Sequence, residues 1–330
     1  MRFLFSLFLF GNMLCGLCAQ DTFSIVAVDT TTGEVGSAGA SCVDLNSFPG
    51  FEDDFLGELF PGVGAINTQA FYLGANQAGA RNRMNLGDTP AQIIQWLIQN
   101  DFSGNPELRQ YGIAAIVDGQ PQAAGYTGSG TDDYKNHVTG PNYSIQGNIL
   151  LGQEILDSME ARFLRAEGDL ACRLMAALQG ANVVGADTRC TPLGTSSLFA
   201  FVKVAQVGDS FGDPSFKLSV RSSGTPAQEP IDQLQLLFDN EKSCEAATGV
   251  APEVVEDHFA LSFMNQGNAF MIEGTKSTTY QVTWIDLTGR QWMRGAVRQG
   301  EIIDLTLLPR GIWVVQLTDG QRQWTTKILK

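Results

Sequence analysis

Histidine is nearly missing from this 330-residue chain, which carries two, His137 and His258. That shortage excludes a histidine-rich metal site. With no H-E-x-x-H and no paired C-x-x-C in the mature chain, no metal is expected. Basic residues are scarce: 21 Lys and Arg stand against 35 Asp and Glu, a formal net charge of −14. A phosphate-binding face needs clustered cations, so nucleic acid is not expected as a partner. An anionic membrane surface is equally disfavoured. No apolar run reaches the ~20 residues of a spanning helix, so no stable membrane span is expected. The nucleophile elbow G-x-S-x-G and the P-loop are both missing. Gly125-Tyr-Thr-Gly-Ser-Gly130 is glycine-rich, but it follows a strand pattern without opening a helix and reads as a loop. No cofactor is implied.

What is present fits a globular chain. Hydrophobic residues make up 44% and charged residues 17%, with a mean hydropathy of −0.02, which argues against disorder. The length suggests two domains at about 100–200 residues each. Charge divides the chain too. Residues 20–257 carry 12 Lys and Arg against 30 Asp and Glu, a net −18, whereas residues 258–330 carry 8 against 5, a net +3. Residues 1–19 read as a secretory signal peptide: Arg2, an apolar stretch from Phe3 through Leu17, and Ala19 at a plausible cut. The expected division is signal 1–19, a first domain 20–240, a linker 241–257 and a small second domain 258–330. The expected location is secreted or at the cell surface, reached through a periplasm. Cys15 and Cys18 fall in the signal, leaving Cys42, Cys172, Cys190 and Cys244 in a compartment that permits disulfides. Cys172 lies on a helical pattern and Cys190 in a polar loop soon after, so a Cys172–Cys190 bond is expected; the states of Cys42 and Cys244 stay open.

Periodicity gives strands at Thr22–Val28, Glu34–Ser41 and Val63–Ala70. Thr89, Pro90 and Gln92 open a helix with a capping box. Two further strands flank the Asp118-Gly119 turn. Helices follow at Gln153–Ala166 and Asp169–Leu178, split at Gly168, then a buried-type strand at Ser196–Ala205 and a helix at Gln228–Asn240. This order is α+β. From Phe259 onward, short strands and turns indicate a small β-sandwich. Its tryptophans Trp284, Trp292, Trp313 and Trp324 read as core or as a glycan-contacting surface.

Three features bear on chemistry. The cluster Glu52, Asp53, Asp54 and Glu58 reads as a solvated acidic loop or, without EF-hand spacing, a Ca²⁺ site. Asn142-Tyr-Ser144 is a sequon by pattern alone. Thr22 begins the first strand close to the predicted cleavage point. Were it N-terminal, its hydroxyl could serve as nucleophile and its α-amine as base, since an α-amine titrates near ~7.7–8.0 and needs no histidine.

Residues 22 to about 205 resemble domain of unknown function 1028, a group placed in the N-terminal-nucleophile (Ntn) hydrolase superfamily. The segments carrying this are Thr22–Asp29 (TFSIVAVD), Ala40-Ser41-Cys42, Gly62-Val-Gly-Ala65 with Gln69, and Arg109-Gln-Tyr-Gly112. Thr127-Gly128, His137, Tyr143–Leu150 (YSIQGNIL), Gly185–Arg189 and Ser196-Ser197 continue it. The resemblance implies an αββα four-layer sandwich and hydrolysis of an amide bond in an unknown substrate, with Thr22 as nucleophile. Asn148 and Gln146 would donate to a developing oxyanion, or else serve to cap a strand around Gly147. Asp187 and Arg189 would pair, either to aim Arg189 at a substrate carboxylate or as a structural ion pair. His137 reads as a proton carrier or a hydrogen-bonded histidine. Ser41, in or near the cleft, and Gln69 complete the candidate substrate-binding set. The predicted cut leaves Gln20 and Asp21 ahead of Thr22, so an active enzyme requires further trimming. Without it, the expectation is a catalytically inactive Ntn-fold binding protein at the cell surface. A homo-oligomer stays open.

Residues 259–330 resemble the C-terminal sorting domain of the type IX secretion system of Bacteroidetes. The match runs through Val282–Arg290 (VTWIDLTGR), Ile303-Asp304-Leu305, Leu308–Leu317 (LPRGIWVVQL) and the final Thr326–Lys330. This resemblance implies Sec export, then passage through the type IX machinery, with residues 258–330 as the address.

Overall fold

A computed structural model describes residues 22–222 and 227–244, then segments 259–264, 269–274, 279–286, 290–298, 301–305, 308–309, 312–318 and 323–329. The signal-peptide reading and most of the linker reading lie outside the described residues. The chain divides into two compact units, 1–246 and 247–330.

The first unit is mixed helix and sheet, and every strand pair in it is antiparallel. Strands β1 (Thr22–Val28), β2 (Val35–Ser41), β3 (Gly57–Phe60) and β4 (Gly64–Gln69) come first. Helices α1 (Gly74–Asn85) and α2 (Pro90–Gln99) follow. Next are β5 (Gln110–Val117), β6 (Gln120–Thr127), β7 (Asn136–Thr139) and β8 (Tyr143–Gly147). Helices α3 (Gln153–Arg165) and α4 (Leu170–Gly180), strands β9 (Phe199–Ala205) and β10 (Phe216–Arg221), and helix α5 (Pro230–Glu241) complete it. One sheet runs β10-β9-β2-β1-β8-β7 and the other β3-β4-β5-β6.

Alternation along the strands decides what each sheet face meets. Phe23, Ile25 and Ala27 of β1 pack with Ile155, Met159 and Phe163 of α3, Leu174 and Leu178 of α4, and Leu234 and Phe238 of α5. Each such large side chain, fully buried, is worth about 1.5–3 kcal/mol. Ile66, Tyr111 and Ile113 pack with Ala80 and Met84 of α1 and with Ile93, Ile94 and Leu97 of α2. The opposite strand faces meet across the two sheets: Val26, Val28 and Val35 from one, Leu59, Ala65 and Ala114 from the other. Toward the start of β1 this shared face turns polar, with Thr22, Ser24, Gln69, Gln110 and Gln146 all buried.

Helix α2 starts as the sequence indicates. Thr89 Oγ1 accepts from Gln92 N (3.3 Å) and Gln92 Oε1 accepts from Thr89 N (2.9 Å), a cap worth about 1 kcal/mol. Helix α1 was not apparent from sequence: GANQAGARNRMN has two glycines, three asparagines and no apolar stripe. Gly79 explains part of that composition, since a Cβ there would lie 2.6 Å from the Trp96 ring of α2.

The expected Cys172–Cys190 disulfide is corrected. Cys42 bonds Cys190, with Cα atoms 5.7 Å apart, and Cys172 bonds Cys244, at 5.6 Å. Nearness in sequence is undone by α4, which continues from Cys172 to Gly180 and so carries the chain about 12 Å away at 1.5 Å per residue. Cys190 thereby reaches the end of β2, while Cys172 meets the segment leaving α5.

In the second unit, β13 (Thr279–Asp286) lies between β14 (Gln291–Arg298) and β16 (Ile312–Thr318), with β17 (Gln323–Leu329) beyond β16. A second sheet pairs β11 (Phe259–Met264), β12 (Ala269–Gly274) and β15 (Ile302–Asp304). Trp284 and Trp313 are buried in the core with Val282, Val315 and Leu317. Trp292 is 43% exposed and meets Trp313 edge-on at 5.5 Å. The Trp324 side chain lies outside the described residues.

Candidate functional site

The polar end of the sheet-to-sheet face collects most of the residues singled out from sequence. Thr22 begins β1, opposite Ser41 at the end of β2. The Thr22 N–H donates to Asn148 Oδ1 at 2.9 Å, and Asn148 N–H donates back to the Thr22 carbonyl at 3.2 Å. That carbonyl also accepts from Gln69 Nε2 at 3.0 Å. Asn148 is 1% exposed, and its Nδ2 is buried without a hydrogen-bond partner among the described residues. A buried donor left unpaired costs about 1–3 kcal/mol, so it calls for an explanation.

Backbone conformation marks the same place. Among the described residues four non-glycine residues have positive φ, and three flank this end: Ala70 (52°) and Phe71 (41°) follow Gln69, and Ile149 (50°) follows Asn148. For a β-branched residue such as Ile149 this is a true outlier. Strain of this kind costs about 1–3 kcal/mol per residue and clusters at functional sites. Arg109, buried and hydrogen-bonded to the Phe71 carbonyl, pairs with Asp101 at 2.8 Å. It holds the strained segment from outside.

Gln146 lies one step further in and is fully engaged. Its Nε2 donates to Ser24 Oγ (2.6 Å) and to the Ser24 carbonyl (3.2 Å), and its Oε1 accepts from Ser144 Oγ (3.0 Å). Ser24 Oγ in turn donates to Gln69 Oε1 at 2.5 Å, and Gln69 Nε2 donates to Gln110 Oε1 at 2.7 Å. Gln110 Nε2 reaches Thr127 Oγ1 at 2.9 Å, which meets His137 Nδ1 at 2.9 Å. A chain of hydrogen bonds through Thr127, Gln110 and Gln69 thus links His137 to Thr22. Burial pushes its imidazole below the ordinary value, so it stays neutral at pH 7.

Asp187, fully buried, accepts from Cys42 N–H at 2.9 Å. Arg189 grips it through Nη2 (2.7 Å) and Nε (3.0 Å), with its side chain 31% exposed. The neighbouring Thr188 N–H bonds the Ile149 carbonyl at 3.0 Å. The Cys42–Cys190 bond thus fastens the Asp187–Arg189 segment to the strand end that faces Thr22. Sequence reasoning missed Ser24, Gln110 and the strained Ala70, Phe71 and Ile149. A polar residue at every second position of an otherwise apolar strand, as in Thr22 and Ser24 or Ser144 and Gln146, was the available signal.

The acidic cluster belongs elsewhere. Asp53 pairs with Arg221, Asp54 with Lys203 and Glu58 with Arg81. Among the described residues no group of three His, Cys, Asp or Glu is arranged to hold a metal ion. A cavity of about 430 Å³ opens beside this cluster, lined by Glu52, Asp54 and Glu58 of it but by none of Thr22, Ser41, Gln69, His137, Gln146, Asn148, Asp187 and Arg189. Among the described residues no helix is long and apolar enough to cross a membrane.

Comparison with known proteins agrees with the sequence resemblance at its coarser level. No curated protein matches the chain. A crystal structure of a Silicibacter pomeroyi protein assigned to DUF1028 superposes with a TM-score of 0.51 at 22% identity, covering 69% of this chain and 92% of that one. At that identity the likeness shows the fold. Residues 22–230 match the model of a family of unknown function, DUF1028, and on that match the chain belongs to this family.

Proposed function

We propose that residues 22–244 form an Ntn-type hydrolase that cleaves an amide bond, with Thr22 as nucleophile once the chain ahead of it is removed. The observation that carries this is the unpartnered Asn148 Nδ2, buried beside Thr22 while the same amide's Oδ1 holds the Thr22 nitrogen. In this reading the Thr22 α-amine takes the Oγ1 proton as Oγ1 bonds to the substrate carbonyl carbon. Asn148 Nδ2 donates to the oxyanion, a contribution of about 3–4 kcal/mol. The protonated amine then returns its proton to the departing nitrogen, and water cleaves the resulting ester. The helices packed on the outer faces of two facing sheets support an αββα four-layer reading of the unit. Two disulfides fit an exported protein. We assign residues 1–19 to a Sec signal and 258–330 to a type IX sorting domain on their sequence patterns.

A second reading, an inactive Ntn-fold binding protein, is favoured by one observation: Thr22 is 1% exposed and the 430 Å³ cavity lies away from it. N-terminal sequencing of the secreted protein separates the two. The enzyme reading expects Thr22 first, with Thr22→Ala lowering turnover of an amide-substrate panel at least ~100-fold and Thr22→Ser retaining part of it. A stable terminus at Gln20 sinks the mechanism.

A further inference from the structure

The cavity beside the 48–59 segment is built from three stretches far apart in sequence: that segment, Tyr72 with Gln77, and residues 203–217. Three of its rings form a fixed wall. Phe51 and Phe55 meet edge to face at 4.8 Å, Phe55 and Tyr72 at 4.9 Å, and Phe51 and Tyr72 at 5.9 Å. Phe211, on the 206–215 loop, is 49% exposed and leans on Phe60 at 5.2 Å. Four rings around one opening make a surface that water wets poorly and that flat or branched apolar groups fill well.

The charges at the cavity are unequal in commitment. Glu58 is held by Arg81 through both Nε and Nη2. Lys203 spends its three donors on Asp54 Oδ2 (2.8 Å), the Asp54 carbonyl (3.1 Å) and the Gly57 carbonyl (2.7 Å). Lys217 stands 3.6 Å from the same Asp54 Oδ2, with its side chain 43% exposed. Two ammonium groups therefore share one carboxylate, and Lys217 is the more loosely held of the two. Glu52, on the solvent side, is the remaining lining charge and pairs with no cation among the described residues.

We propose that this cavity binds a small molecule or peptide end with an aromatic or branched apolar body and one carboxylate, the body against Phe51, Phe55, Tyr72 and Phe211 and the carboxylate on Lys217. Its volume of about 430 Å³ lies in the range of ligand sites, about 300–1,000 Å³. A carboxylate there gives the half-exposed Lys217 ammonium an anionic partner besides Asp54, which Lys203 already engages. The site is separate from Thr22, so its occupancy does not depend on the hydrolase reading.

The test measures binding to the full-length protein with three probes: N-acetyl-L-phenylalanine, its uncharged amide, and acetate. The acid is expected to saturate at or below about 10 mM. The amide should bind about two- to fivefold more weakly, as a half-exposed ion pair allows, and acetate should not saturate in that range. Lys217→Gln should make acid and amide equal. Phe211→Ala, at an exposed loop position, should weaken both by about fivefold or more. Thr22→Ala should leave all three unchanged. No saturation by the acid, equal affinity for acid and amide in the unsubstituted protein, acetate as tight as the acid, or discrimination that survives Lys217→Gln each overturns the proposal.

Discussion

Gly112→Ala is expected to be costly although alanine is the better strand residue. In an unconstrained strand the change gains about 0.5–1 kcal/mol from the narrower unfolded ensemble. Here the added Cβ would sit 1.9 Å from Gln146 Oε1 and 2.4 Å from its Cδ. Gln146 is fully buried and cannot swing to solvent. Displacing it costs about 1–3 kcal/mol as overpacking. The bonds to Ser24 and Ser144 add about 0.5–1.5 kcal/mol for each one lost. A net loss of about 2–4 kcal/mol follows. Gln146→Ala alone empties the same space and should cost about 2–4 kcal/mol. In Gly112→Ala/Gln146→Ala the new methyl enters the vacated volume, so the pair should cost no more than Gln146→Ala by itself. The coupling, about 2–4 kcal/mol, is read by urea unfolding with equal slopes for all four proteins. Single costs that add to within about 0.5 kcal/mol refute the reasoning, as does a Gly112→Ala protein as stable as the parent.

Two further expectations concern the disulfides and acid. Replacing either cysteine pair by alanine should lower stability by about 4–5 kcal/mol in the chain-entropy model, for separations of 148 and 72 residues. Non-reducing peptide mapping that yields a Cys172–Cys190 fragment rejects the pairing. Burial alone raises the Asp101 carboxyl, but hydrogen bonds from Arg109, Asn105 N–H, Asn76 and Ser103 outweigh it and hold the group well below the carboxylate range. Asp54 is lowered likewise: burial raises it, and Lys203 more than compensates. Between the folded and unfolded pKa values the unfolded chain binds more protons, so stability is full above about pH 5 and falls as pH drops from there. Asp101→Asn should flatten the acid limb of Tm against pH, and an unchanged slope refutes the assignment.

How much was legible in the sequence follows from how local each signal is. The capping box of α2, the Asp118-Gly119 turn with both φ values positive (50° and 73°), and the break at Gly168 between α3 and α4 each depend on a few neighbouring residues. They were read correctly from side chains alone. Helix α1 was not, because its stability comes from what packs on it: Gly79 against Trp96, and Asn76 hydrogen-bonded to Asp101 and Tyr111. The disulfides failed for the opposite reason. Chain separation is a poor guide to distance where a rigid helix intervenes, as α4 does between Cys172 and Cys190. The acidic loop looked solvated, yet Arg221, Lys203 and Arg81 arrive at it from more than 20 residues away in each case.

The candidate site lies between these extremes. Thr22 is marked by its place at the start of the first strand and Gln69, Gln146 and Asn148 by the family resemblance, and the structure gathers them at one end of the shared sheet face. Their roles differ because their neighbours differ. Gln146 sits under Gly112 and spends every donor on Ser24, so its amide is part of the sheet contact. Asn148 lies two residues on, past the last ladder position at Gly147, where the strained Ile149 turns the backbone away. Its Oδ1 accepts from the Thr22 nitrogen and its Nδ2 has no partner among the described residues. An amide that only joined strands would gain stability by pairing both ends, as Gln69 and Gln110 do. Leaving one end unpaired is sensible when a ligand's oxygen completes it, so Asn148 distinguishes a built site from a polar core more sharply than Thr22 does.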